Sequence, residues 1–123
     1  RDVRAARVRG GSAANVAAWA SRSGADVTFI GKVGRDRMGQ LAAEDLDAER
    51  VVAFLPESRD HRTGSVAVFV DHTGERSMVS GRGADFDLTP DELPVEALRA
   101  ATSIAPCIAV DQICKAPSGQ SAP

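Results

Sequence analysis

The sequence predicts an α/β layer fold, and three stretches carry that prediction. An alanine-rich run, AANVAAWASR at 13–22, is followed by a glycine-bounded apolar run, DVTFIGKVG at 26–34. An amphipathic stretch from Arg37 to Arg50 then leads into a second apolar run, Val51 to Leu55. In order these read helix, strand, helix, strand, the alternation that builds helices against a sheet.

Each element has a local reason. The first run is polar only at Asn15, Ser21 and Arg22, as in a helix packed on several sides, and Gly24 supplies its stop. Val27 to Ile30 is β-branched or aromatic and closed by Gly31 and Gly34, which predicts a short buried strand. From Arg37 to Arg50, Met38, Leu41, Ala42 and Leu46 fall at helical spacing, while Glu44, Asp45, Asp47 and Glu49 fill the other face. Val51 to Leu55 ends at Pro56, and 57–62 reads as a loop. The pattern then changes. Val66, Val68 and Val70 alternate onto one face, DHTG at 71–74 is turn chemistry, and Glu75 to Val79 returns as a partner strand, so a β-hairpin leaves the main layer as a lid. LTPDELP places Thr89 as a cap and Pro90 at the first position of a helix expected to run to about Ala101. Ser103 to Val110 resembles a strand that Pro106 weakens, and the end, APSGQSAP, reads as a disordered tail. No internal repeat is present.

Composition narrows the function classes. At 123 residues and 43% hydrophobic content, the chain holds one core and is too short for two domains. Its 15 basic and 17 acidic residues are interspersed, so neither nucleic acid nor a membrane surface is an expected partner. Arg1, Arg4, Arg7 and Arg9 read as a solvated end. No apolar run is long enough for a membrane span or a signal peptide, and a cytoplasmic location is expected. Cys107 and Cys114 have no histidine nearby, so free thiols are expected rather than a zinc site or a disulfide framework. The chain starts at Arg1 rather than at methionine, as a trimmed or internal segment would.

Among the motifs, Gly10-Gly11 lets backbone N–H groups approach a ligand at a helix start, whose dipole end is positive. Asn15, one turn in, offers a donor and an acceptor to vicinal hydroxyls. The plainer alternative is a turn that Asn15 caps. GKVGRDRMG is not a phosphate loop, because the glycine required five positions before the Gly-Lys pair is Asp26. No G-x-G-x-x-G follows a strand. Asp36 reads as a helix cap rather than an acid in chemistry, His61 and His72 as solvated loop residues, and GRGAD at 81–85 as a connector in which Arg82 is an alternative anion contact.

The stretch GGSAANVAAWASRSGADVTFIGKVG resembles the first signature of the PfkB, or ribokinase-like, carbohydrate kinases, through Gly10, Gly11, Ala13, Asn15, Ala17, Gly24 and Gly34. The likeness continues through VGRDRMG, RTGSVAVFVDHTGERSMV and GADFDLTPDEL, covering about Arg9 to Ala101. It implies a partial ribokinase-like sandwich, helices on a central sheet, with a small β-hairpin lid. Residues 1–102 would form the partial kinase domain, with lid elements over about 51–80, and 103–123 a divergent tail. It further implies ATP as phosphoryl donor with Mg²⁺, a sugar or related polyol as acceptor, and a sugar-binding role for Gly10, Gly11 and Asn15. A homodimer through the lid is a further expectation. The family's acidic first strand is expected to precede residue 1. Its Gly-Ala-Gly-Asp segment, with the catalytic base and the nucleotide site, is expected downstream, so no residue here is assigned a catalytic, nucleotide-binding or metal-binding role. The resemblance thus implies a kinase fragment, ended by a frameshift or early stop and inactive alone. The competing reading is a catalytically dead sugar-binding or interaction module.

Overall fold

A computed structural model describes residues 3–105 and orders them as α1 (Ser12–Arg22), β1 (Thr28–Ile30), β2 (Val33–Gly34), α2 (Arg37–Ala48), β3 (Val52–Phe54), β4 (Glu57–Ser58), β5 (Ser65–Val70), β6 (Arg76–Gly81) and α3 (Val95–Ala100). Both long helices start and stop where local chemistry directs. Gly11 caps α1 at φ 93°, and Gly24, at φ 97°, donates its N–H back to Ser21 O (3.0 Å). Asp36 caps α2 by accepting from Gly39 N (2.8 Å).

The strands of the main layer are parallel. β1 pairs with β3, from Thr28↔Val52 to Ile30↔Phe54, and β2 pairs with β4 through Val33↔Glu57 and Gly34↔Ser58. One register runs through both pairs, bridged by Gly31 N→Phe54 O and Val33 N→Pro56 O (both 3.1 Å). The pairing lapses in the middle at Pro56, which has no N–H to donate. α1 and α2 cover one face of this ribbon. Ala14, Ala17, Leu46 and Val51 are buried there, with Val27, Phe29, Ala53 and Leu55 packed against them. The opposite face, with Thr28, Val52 and Phe54, is exposed.

The lid expected over about 51–80 therefore divides. β3 and β4 are drawn into the parallel ribbon, because their backbones complete the ladders of β1 and β2, and the projecting part is the β5–β6 hairpin. That hairpin is antiparallel from Ser65↔Gly81 to Val70↔Arg76, and every residue in it is exposed. Its turn is built by Asp71, whose Oδ1 accepts from Thr73 N (2.8 Å) and Glu75 N (3.1 Å), with Gly74 at φ 89°.

The helix expected from Pro90 to about Ala101 is interrupted. A single 3₁₀ turn, Pro90–Glu92, ends at Leu93, whose ψ of 134° is extended, and α3 begins only after Pro94. Pro94 disfavours helical geometry in the residue before it and has no N–H to bond back. At the turn's start Thr89 N donates to Glu92 Oε2 (3.0 Å). Of the stretch at 103–123, only 103–105 is described, exposed and without helix or strand. The expectations for a strand through Val110, for Cys107 and Cys114 and for the tail lie outside the described residues. Among the described residues, no helix is long and apolar enough to cross a membrane.

Candidate functional site

The glycine pair forms the entrance to α1. A Cβ added at Gly10 or Gly11 would meet nothing within 4 Å, so the backbone there lies open. Gly11 must remain glycine for its left-handed φ. The first helical hydrogen bond is Asn15 N→Gly11 O (3.0 Å), which leaves the N–H groups of Ser12, Ala13 and Ala14 ahead of it without intrahelical partners. No side-chain hydrogen bond caps this end, so Asn15 is not the cap. Asn15 is exposed on the same turn. Two flexible glycines, a set of first-turn N–H groups and one amide thus share one open corner, an arrangement suited to several hydroxyl oxygens at once.

The chain leading into this corner carries no helix or strand, and ion pairs to α2 and its C-cap hold it. Arg7 Nη1 donates to Asp45 Oδ2 (3.0 Å) and Arg9 Nη1 to Glu49 Oε1 (3.2 Å). Arg22, the last residue of α1, donates through Nε to Glu49 Oε2 (2.8 Å) and through Nη2 to Oε1, while its guanidinium lies over the Trp19 ring, 5.1 Å from the centroid. These arginines, above all Arg22, hold the Glu49 carboxyl below the ordinary glutamate range.

A second cluster fixes the base of the hairpin. The Asp36 carboxylate accepts from Thr63 Oγ1 (2.7 Å), Thr63 N (2.9 Å) and Gly39 N (2.8 Å), and Thr63 Oγ1 accepts from Gly34 N (3.0 Å). The Thr63 hydroxyl first, then the Thr63 and Gly39 N–H groups, hold the Asp36 carboxyl below its ordinary range. The returning strand locks onto the same point. Ala84 N donates to Arg62 O (2.8 Å), and a Cβ at Gly83 would sit 2.1 Å from that oxygen. GRGAD is therefore a tightly packed connector, with Ala84 fully buried and Arg82 lying over the Phe86 ring at 4.7 Å.

His61 is the exposed loop residue expected, and it also has a carboxylate partner. Its Nδ1 lies 2.6 Å from Asp87 Oδ2, which also accepts from Ser58 Oγ (2.6 Å). Lys32 joins this group through Asp87 O (3.2 Å) and Glu92 Oε1 (2.5 Å). Sequence reasoning identified the glycines, Asn15 and the Asp36 cap. It missed Glu49, Thr63 and Asp87, whose side chains bond to residues 26 to 40 positions away in the chain. Among the described residues, no three His, Cys, Asp or Glu side chains gather as a metal site.

A family described as pfkB family carbohydrate kinase matches residues 3–119. Over 88 residues the chain is 39% identical to the fructokinase of Klebsiella pneumoniae, covering 69% of this chain and 29% of that protein. Over 83 residues it is 39% identical to the ribokinase of Bacillus subtilis, covering 68% and 28%. An uncharacterized sugar kinase from Pyrococcus horikoshii, solved in complex with ATP, superposes with a TM-score of 0.69 at 30% identity, over 75% of this chain and 31% of that one. The chain thus spans under a third of these relatives, and the described residues form a portion of the ribokinase-like α/β fold.

Proposed function

Because the chain belongs to the pfkB family of carbohydrate kinases, we propose that residues 9–15 are the sugar-holding corner of an ATP-dependent kinase that transfers a phosphoryl group to a sugar hydroxyl. The observation that carries the reading is the open α1 entrance, where unobstructed Gly10 and Gly11 and exposed Asn15 lie on one turn. In this reading backbone N–H groups donate to sugar oxygens, and the Asn15 amide, donating through Nδ2 and accepting through Oδ1, reads a pair of neighbouring hydroxyls. The β5–β6 hairpin covers the sugar, and its Val66, Val68 and Val70 face pairs with a second copy. Phosphoryl transfer depends on positioning and on charge neutralisation at the nucleotide, and ATP with Mg²⁺ would be held by residues other than those described. By themselves the 123 residues bind sugar without phosphorylating it.

The test is calorimetric titration of the 123-residue chain with fructose, ribose and adenosine, beside a coupled phosphorylation assay. Binding of one polyol that Asn15→Ala abolishes, without turnover, is the expected result. Turnover by this chain overturns the claim of inactivity, and no binding of any of the three overturns the sugar-holding corner.

A further inference from the structure

Glu49 lies outside the corner formed by Gly10, Gly11 and Asn15, yet it touches both the segment that enters that corner and the helix that leaves it. We infer that Glu49 is a positioning residue for the sugar-holding corner, an inference that rests on the sugar-binding reading of Gly10, Gly11 and Asn15. Its two carboxylate oxygens are both engaged. Oε1 receives Arg9 and Arg22, Oε2 receives Arg22 Nε, and the Glu49 carbonyl accepts from Ser21 Oγ at 2.6 Å. Arg9 adjoins Gly10, while Ser21 and Arg22 end α1, the helix that carries Asn15. One residue thereby sets the approach of the glycine pair and holds the far end of the helix that presents the amide.

The anchor itself is rigid. Glu49 N bonds to Leu46 O (3.1 Å), Arg50 turns the chain at φ 59°, and Val51 N returns to Leu46 O (3.0 Å), with Leu46 and Val51 both in the core. The entering segment has no such support. Asp45 in α2 and Glu49, the residue that caps the helix's C-terminal end, receive Arg7 and Arg9 as the segment's tethers. Arg9 is more than a surface contact, because its Nε is buried without a hydrogen-bond partner and its Glu49 pairing orients the guanidinium. A neutral glutamine could still accept through one oxygen but could not hold both arginines by charge.

Amide hydrogen exchange on the 123-residue chain tests this. In Glu49→Gln the Asn15 amide, bonded to Gly11 O, should exchange about tenfold faster, while the Thr63 amide at the hairpin base keeps its rate. Arg9→Met should reproduce the change, and Arg9→Lys, which keeps the charge, should not. Unchanged exchange at Asn15 in Glu49→Gln overturns the inference. So does acceleration spread equally to Thr63, because Glu49 would then serve stability at large. If Asn15→Ala leaves polyol binding intact while Glu49→Gln still frees the Asn15 amide, the sugar-binding reading fails and the positioning role stands.

Discussion

Replacing Asp36 with alanine removes three hydrogen bonds from one partly buried carboxylate, the helix cap to Gly39 N and the two bonds from Thr63. Loss of an N-cap costs about 1 kcal/mol. Each of the Thr63 bonds adds about 1 kcal/mol, the ordinary net value, because water can replace the carboxylate at this depth. The expected loss is therefore about 2–3 kcal/mol, read as a lower urea midpoint by circular dichroism and by the single tryptophan, Trp19. Thr63→Val removes the same hydroxyl from the other side, so the two substitutions should couple by about 1 kcal/mol in a double-mutant cycle. The pH dependence has a definite sign. The native carboxyl titrates below its unfolded value, so its contribution is complete above the ordinary aspartate pKa of about 4 and is lost as pH falls through the lower native value. Asp36→Asn should lack that part of the acid transition. A loss under about 0.5 kcal/mol in Asp36→Ala, or strict additivity with Thr63→Val, would refute the idea that this carboxylate ties the hairpin to α2.

Gly83→Ala drives a methyl group to 2.1 Å from Arg62 O, and because the obstacle is backbone it should cost about 2–3 kcal/mol by urea denaturation. Asn15→Ala alters an exposed residue and should move stability by no more than about 0.5 kcal/mol in a thermal melt while abolishing calorimetric polyol binding. Val68, 48% exposed in the hairpin, should matter for self-association: Val68→Lys is expected to lower the mass seen by sedimentation, and an unchanged mass would remove the lid as the dimer surface.

Where the sequence was legible, short-range chemistry was decisive. Helical spacing of Leu41, Ala42 and Leu46, the Asp36 cap and the Gly24 stop lie within a turn or two of what they control, and α2 begins at the predicted residue. Where two local signals compete, the nearer stop wins. Thr89-Pro90 announces a helix start, but Leu93-Pro94 cuts it after one turn. His61 is exposed as its loop composition suggests, but its contact with Asp87, 26 positions away, has no local signal in the sequence.

Periodicity, caps and turn residues act between near neighbours, so the α/β order, the two long helices, the hairpin and the glycine-rich entrance to α1 are written locally in the chain. Long-range packing alone sets β3 and β4 in one parallel register with β1 and β2, brings Thr63 to Asp36, and gathers Arg9 and Arg22 on Glu49. Those choices depend on which distant backbones come within hydrogen-bonding reach once the helices have packed, and no spacing along the chain encodes that distance.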